Sequence, residues 1–132
     1  MKVFLSHAAK DKAIAVELAG RMREAGLEVV NPYEEIVPGD NWAEKVAEAL
    51  ENSDAMLILL TPGAIQSDFL QNDLSYALGS KRFRNRLMTV IVGAAVEAPG
   101  DVPWILLRQP HKQVASPAEF GEVVEEMAGL VG

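Results

Sequence analysis

The chain has no cysteine among its 132 residues. A disulfide, a thiolate metal site and a cysteine nucleophile are therefore all excluded, and a reducing compartment is compatible. Basic residues are scarce: 12 lysines and arginines face 19 aspartates and glutamates, for a formal net charge of -7. No general positive field exists to draw phosphates, which argues against nonspecific nucleic-acid or anionic-membrane binding. The one basic run, Lys81-Arg82-Phe83-Arg84-Asn85-Arg86, reads as a solvated loop or as a contact for an acidic partner. No segment approaches the roughly 20 apolar residues of a membrane span. No charged leader followed by a long apolar stretch opens the sequence. The expectation is a soluble, cytoplasmic protein. No G-x-G-x-x-G fingerprint follows a strand and there is no P-loop. The two histidines, His7 and His111, are far apart and lack an i,i+4 partner, so a zinc site is not expected.

What is present is a well-patterned globular chain, 49% hydrophobic and 23% charged, long enough for one domain with one core. Lys2 to Leu5 reads as a first strand. Asp11 to Ala25 reads as a helix, with Ile14, Leu18, Met22 and Ala25 at helical spacing and Gly26 as its left-handed cap. Leu27 to Val30 is a second strand, followed by a loop from Asn31 to Gly39. Asn41 and Glu44 have the spacing of a capping box, which opens a helix to about Asn52. Ala55 to Leu60 is a nearly continuous hydrophobe, as expected of a strand buried on both faces. A helix follows Thr61-Pro62-Gly63, and Leu87 to Val92 is a fourth strand. A looser stretch to Gln113 holds a candidate short strand near Trp104 to Leu107, with Trp104 read as core. Ser116-Pro117 opens a final helix to about Leu130.

Strands alternating with helices imply a parallel sheet covered on both faces. The expected fold is α/β, a flavodoxin-like three-layer sandwich with a five-stranded parallel sheet in the order 2-1-3-4-5. In such sheets a ligand crevice lies where strand order reverses, at the carboxyl ends of strands 1 and 3. The loops there are Ser6 to Lys10 and Thr61 to Ser67, with Asn31 to Asp40 beside them.

Asp73 draws attention on physical grounds. In a helix at about 100° per residue, Phe69, Leu70, Leu74, Ala77 and Leu78 share an apolar arc, and Asp73 falls inside it. A carboxylate on a buried face is costly unless something pairs with it or uses it. It is either a structural anchor or part of a site. One carboxylate among hydroxyls and aromatics can polarise a sugar hydroxyl and stabilise positive charge developing on a ribosyl carbon. A Ser/His/Asp triad from Ser6, His7 and Asp73 is disfavoured, because adjacent serine and histidine are badly placed to face each other. A phosphoacceptor receiver would need acidic residues at the end of strand 1, where Phe4-Leu5-Ser6-His7 stands.

Four segments then carry a resemblance. Phe4 to Asp11 resembles the first box of Toll/interleukin-receptor (TIR) domains in their bacterial form. Ile36-Val37-Pro38-Gly39-Asp40-Asn41-Trp42 is similar to the loop between the second strand and its helix. Ser53 to Pro62 is similar to the family's third strand and its exit. Ser67-Asp68-Phe69 with Asp73-Leu74 resembles the pattern of Ser-x-aromatic followed by an acidic residue and leucine. The resemblance covers Lys2 to about Val92, and more loosely the rest. It implies a single TIR domain over residues 1–132 that acts in immune or anti-phage signalling. It implies self-association, with Ile36, Pro38, Gly39 and Asp40 in the contact loop, and a fused or separate sensor module as partner. It also implies an NAD-like nucleotide as ligand or substrate, cleaved in many members to nicotinamide and linear or cyclic ADP-ribose.

On that reading Asp73 stands where the family has its catalytic glutamate, and Ser6, His7, Trp42, Thr61 and Ser67 shape the pocket. Aspartate is shorter by a methylene, and a misplacement of about 1 Å can cost about 10²-fold in rate. Two alternatives therefore stay open beside an NAD glycohydrolase. One is a catalytically silent adaptor in which Asp73 is structural. The other is an enzyme like the nucleoside deoxyribosyltransferases, against which the four ordered motifs argue. For single residues, Trp42 is either core packing or an aromatic wall, and His7 is either a surface loop residue or a ligand contact.

Overall fold

Three of the strands are hydrophobic on successive residues, and the sheet is built around them. The computed structural model describes residues 2–31, 41–61, 64, 67–79, 83, 86–93 and 110–131. Strand β1 (Lys2–Ser6) leads through a 3₁₀ turn (Ala9–Asp11) into α1 (Lys12–Glu24), followed by β2 (Glu28–Val30), α2 (Trp42–Glu51) and β3 (Ala55–Leu60). Helix α3 (Asp68–Gly79), β4 (Leu87–Val92), β5 (His111–Val114), a second 3₁₀ turn (Pro117–Glu119) and α4 (Phe120–Val131) complete it. The sheet order is β2-β1-β3-β4-β5, and all four pairings are parallel.

Every residue of β3 and β4 is buried. Because side chains alternate across a strand, these two runs feed two cores at once. Val3, Leu5, Leu57, Leu59, Met88 and Val90 meet Ala15, Leu18 and Met22 of α1 and Phe120, Val123 and Met127 of α4. Phe4, Met56, Ile58, Leu60, Leu87 and Ile91 meet Val46 and Leu50 of α2, Leu70, Leu74 and Ala77 of α3, and Phe83. Helices α1 and α4 thus cover one face and α2 and α3 the other, the three-layer sandwich expected.

Local chemistry sets the element ends. Gly26 has φ +90, a left-handed conformation that suits glycine after a helix. The Asn41 side chain accepts from the Glu44 backbone N–H at 3.2 Å, and Ser116 accepts from that of Ala118 at 3.4 Å.

The structure departs from the sequence reading at several points. The fifth strand is His111–Val114; the stretch Trp104 to Leu107 lies outside the described residues. On α1 the inward arc is Ala15, Leu18, Ala19 and Met22, with Ile14 only partly buried. Ala25 is not in the helix but is its C-terminal cap. On α3, Leu78 is 41% exposed, so the arc centres on Leu70, Leu74 and Ala77. Phe83, inside the basic run, is buried, with its ring 6.1 Å from that of Tyr76 in an edge-to-face arrangement.

Two outcomes follow from this packing. Phe83→Ala removes a buried ring that the α3 core closes on, and is expected to lower unfolding free energy in urea by about 3–5 kcal/mol. Lys112 on β5 bridges to Glu122 at 3.2 Å and Glu126 at 3.1 Å on α4. Its hydrogen bonds to Glu126, then Glu122, raise its pKa above 10.5. A raised lysine pKa means the stabilisation is complete below the unfolded value and is lost as pH climbs through the folded one. Thermal unfolding between pH 9 and 12 should therefore show a steeper alkaline loss in the native chain than in Lys112→Met.

Candidate functional site

Sheet order reverses between β1 and β3, so the crevice edge lies at Ser6 and Leu60, the last residues of those strands. Ser6 pairs with Ile58 in register and alternates onto the side of Phe4, the face covered by α2 and α3. On α3, Asp73 shares the inward face with Leu70, Leu74 and Ala77 and is 2% exposed. The Ser6 hydroxyl donates to Asp73 Oδ2 at 2.9 Å, across 67 residues of chain. Hydrogen bonds to a carboxylate are about twice as strong as neutral ones, which offsets part of what it costs to bury one. The bond pins the last residue of β1 to the middle of α3.

A second polar network occupies the same edge on the other face. Thr61, just past β3, alternates onto the side of Leu59, toward α1. Its hydroxyl donates to Asp11 Oδ2 at 2.6 Å and accepts from Lys10 Nζ at 3.0 Å. Asp11 sits at the N-cap of α1 but makes no side-chain cap hydrogen bond; its carboxylate is used by Thr61 instead. Lys10 Nζ lies 3.9 Å from Asp11 Oδ1.

The remaining candidates separate. His7 is 1% exposed, not a surface residue: its Nδ1 donates to the Ala8 carbonyl at 2.8 Å, a local bond that lets the ring be buried. Ser67 is part-buried and accepts from the Leu70 backbone N–H at 3.5 Å, the position of an N-terminal cap for α3. Trp42 opens α2, but its side chain lies outside the described residues, as do Ile36, Pro38, Gly39 and Asp40 altogether. The structure thus joins Ser6 to Asp73, and joins Thr61 to two residues, Lys10 and Asp11, to which sequence reasoning gave no role. One signal was available: Lys10 is the only lysine or arginine in residues 6–11, 31–41 and 61–67. Among the described residues no group of three or more His, Asp or Glu side chains could hold a metal ion, and no helix is long and apolar enough to cross a membrane.

This geometry can be set beside known proteins. The fold is similar to the TIR domain of the Toll-related receptor TRR-2 from Hydra magnipapillata, with a TM-score of 0.70 at 17% identity, covering 96% of this chain and 97% of that one. It is similar to a metazoan TIR-STING receptor from C. gigas in complex with 2',3'-cGAMP, with a TM-score of 0.71 at 17% identity over 92% of this chain; the match spans 38% of that receptor. It is also similar to the CMP N-glycosidase BcmB of Clostridium botulinum, with a TM-score of 0.63 at 18% identity, covering 96% of this chain and 99% of that one. No curated protein matches the chain by sequence. The model of the TIR domain family matches residues 3–122. With the 2-1-3-4-5 sheet and the polar pair at its switch point, that match makes this chain a member of the TIR domain family.

Proposed function

We propose that this TIR domain signals by self-association, in an immune or anti-phage type of response, and binds an NAD-like nucleotide in the switch-point crevice. Asp73 acts there on the ribose. The observation that carries the reading is the 2.9 Å bond between Ser6 Oγ and Asp73 Oδ2, which holds a carboxylate at the place where open parallel sheets take ligands. Two proteins of the same fold support a nucleotide as ligand: one was solved with 2',3'-cGAMP, and the other is named for cleaving the N-glycosidic bond of CMP.

The chemistry asked of the site is modest. A carboxylate has about four lone-pair positions, so a ribose hydroxyl can share Asp73 with Ser6. As the bond from C1′ to the pyridinium nitrogen breaks, its electron pair neutralises that nitrogen and nicotinamide leaves without needing an acid. Positive charge grows on C1′, where a fixed carboxylate stabilises it. Water then adds to C1′ and gives up a proton, leaving ADP-ribose.

One observation favours a second reading, a silent adaptor. Asp73 is 2% exposed and already bonded to the sheet, as a purely structural anchor would be, and it is shorter than glutamate.

Nicotinamide release from NAD by concentrated protein separates the two. The expected outcome is turnover by the native chain, lowered at least about 10²-fold in Asp73→Ala, and lowered less in Ser6→Ala, which keeps the carboxylate but loses its positioning donor. Thermal unfolding of each variant shows that it is folded. Silence of the native chain together with turnover by Asp73→Glu would establish the adaptor.

A further inference from the structure

We propose that Thr61 and Asp11 are positioning residues for Asp73, acting from the other face of the sheet through the turn that joins β1 to α1. The inference deepens the reading of Asp73 as the working carboxylate, and rests on that reading for its rate measurement alone. Asp73 accepts from the Ser6 hydroxyl, so whatever steadies Ser6 also steadies the carboxylate. Pairing of β1 with β2 ends at Phe4, while pairing with β3 continues through Leu5 and Ser6. Among the described residues, the sheet therefore grips Ser6 from its β3 side only.

The turn supplies a second hold. The Asp11 backbone N–H bonds back to the Ala8 carbonyl at 3.0 Å, and His7 Nδ1 donates to that same oxygen at 2.8 Å. His7, Ala8 and Asp11 are all buried, so the turn is packed against the protein. At its far end Asp11 Oδ2 accepts from the Thr61 hydroxyl at 2.6 Å. Thr61 directly follows β3, the strand whose Ile58 pairs with Ser6. Residues 6–11 and 58–61 therefore form a ring, closed by a ladder pair at one point and by the Thr61–Asp11 bond at the other. Closing the ring removes freedom that a strand end with a trailing turn would keep. The Thr61 bond is the closure most exposed to change. Lys10 Nζ stands 3.9 Å from Asp11 Oδ1, beyond hydrogen-bond reach, so the hydroxyl is the donor that offsets burial of this carboxylate. Without it, Asp11 is drawn toward water, the ring opens, and Ser6 is left on its one-sided grip. Ser6 and Asp73 lie on the opposite face, so the effect passes along the chain and not through contact with Thr61.

The test is a double-mutant cycle on the full chain, read by urea unfolding. Thr61→Val removes the hydroxyl at nearly constant volume, and Ser6→Ala removes the donor to Asp73. Independent sites would multiply their effects on the unfolding equilibrium constant to within about 2-fold. Here the effect of Ser6→Ala should be about 5-fold smaller in Thr61→Val than in the native chain, because the opened ring has already loosened the Ser6 bond. Thr61→Ser keeps a hydroxyl and should restore the native effect of Ser6→Ala. Asp11→Asn weakens the same bond by removing the charge, and replaces Thr61→Val in the cycle if that variant does not fold. In nicotinamide release, Thr61→Val should lower kcat about 10-fold and leave the KM for NAD unchanged, as misplacement of a reacting group does. Effects that simply multiply would overturn the proposal and make the Thr61–Asp11 bond a local strut. A raised KM at native kcat would also overturn it and make Thr61 a pocket contact. A native chain silent toward NAD fails the enzyme reading instead, and the cycle alone then decides whether the two faces are coupled.

Discussion

Asp73 stays on the packed face of its helix because β1 ends in a hydroxyl on the same side of the sheet. Without that donor, a carboxylate on the same face as Leu70, Leu74 and Ala77 would lose a bond that offsets part of what its burial costs. With Ser6 in place, the buried carboxylate is held to the last residue of β1. The direction of the carboxylate is thus tied to this bond, while the apolar residues of α3 close the core around it. Catalysis and anchoring are not exclusive for such a residue: the interaction that makes burial tolerable also fixes the geometry a reaction needs.

The fold was readable where burial is two-sided. Strands β3 and β4 stand where the hydrophobic runs stand, residue for residue, because a strand covered on both faces has no polar alternation to blur it. The fifth strand was not, because His111–Val114 is an edge with three polar residues, His111, Lys112 and Gln113; its place depends on pairing with β4, which local composition does not encode. Leu78 fits the apolar arc by spacing, yet it is 41% exposed, because spacing alone does not say how wide an arc the sheet covers.

The site divides in the same way. Asp73 was legible because a charge interrupted a periodic apolar face, a local contradiction that points to something global. The Lys10, Asp11 and Thr61 network was not, since Thr61 lies 50 residues from Asp11 and 51 from Lys10, and each has an ordinary local explanation: a strand exit, a helix start, a surface cation. Asp11 is instructive. Its position predicts a capping role, and the tertiary bond to Thr61 took the side chain instead. His7 is similar: of its two readings the surface one is excluded, and a bond to its neighbour's carbonyl accompanies the burial of the ring.

Strand parity has a consequence for how this domain tolerates change in length. Ser6 serves Asp73 only because it is an even step from Phe4; an odd step would turn its hydroxyl toward α1, where Asp11 and Thr61 are already engaged. The addition of a single residue within β1 would therefore exchange the clientele of the two faces, while adding two would preserve it. The strand behaves as an address with one binary digit, and the chemistry at the sheet edge is delivered to whichever side that digit names.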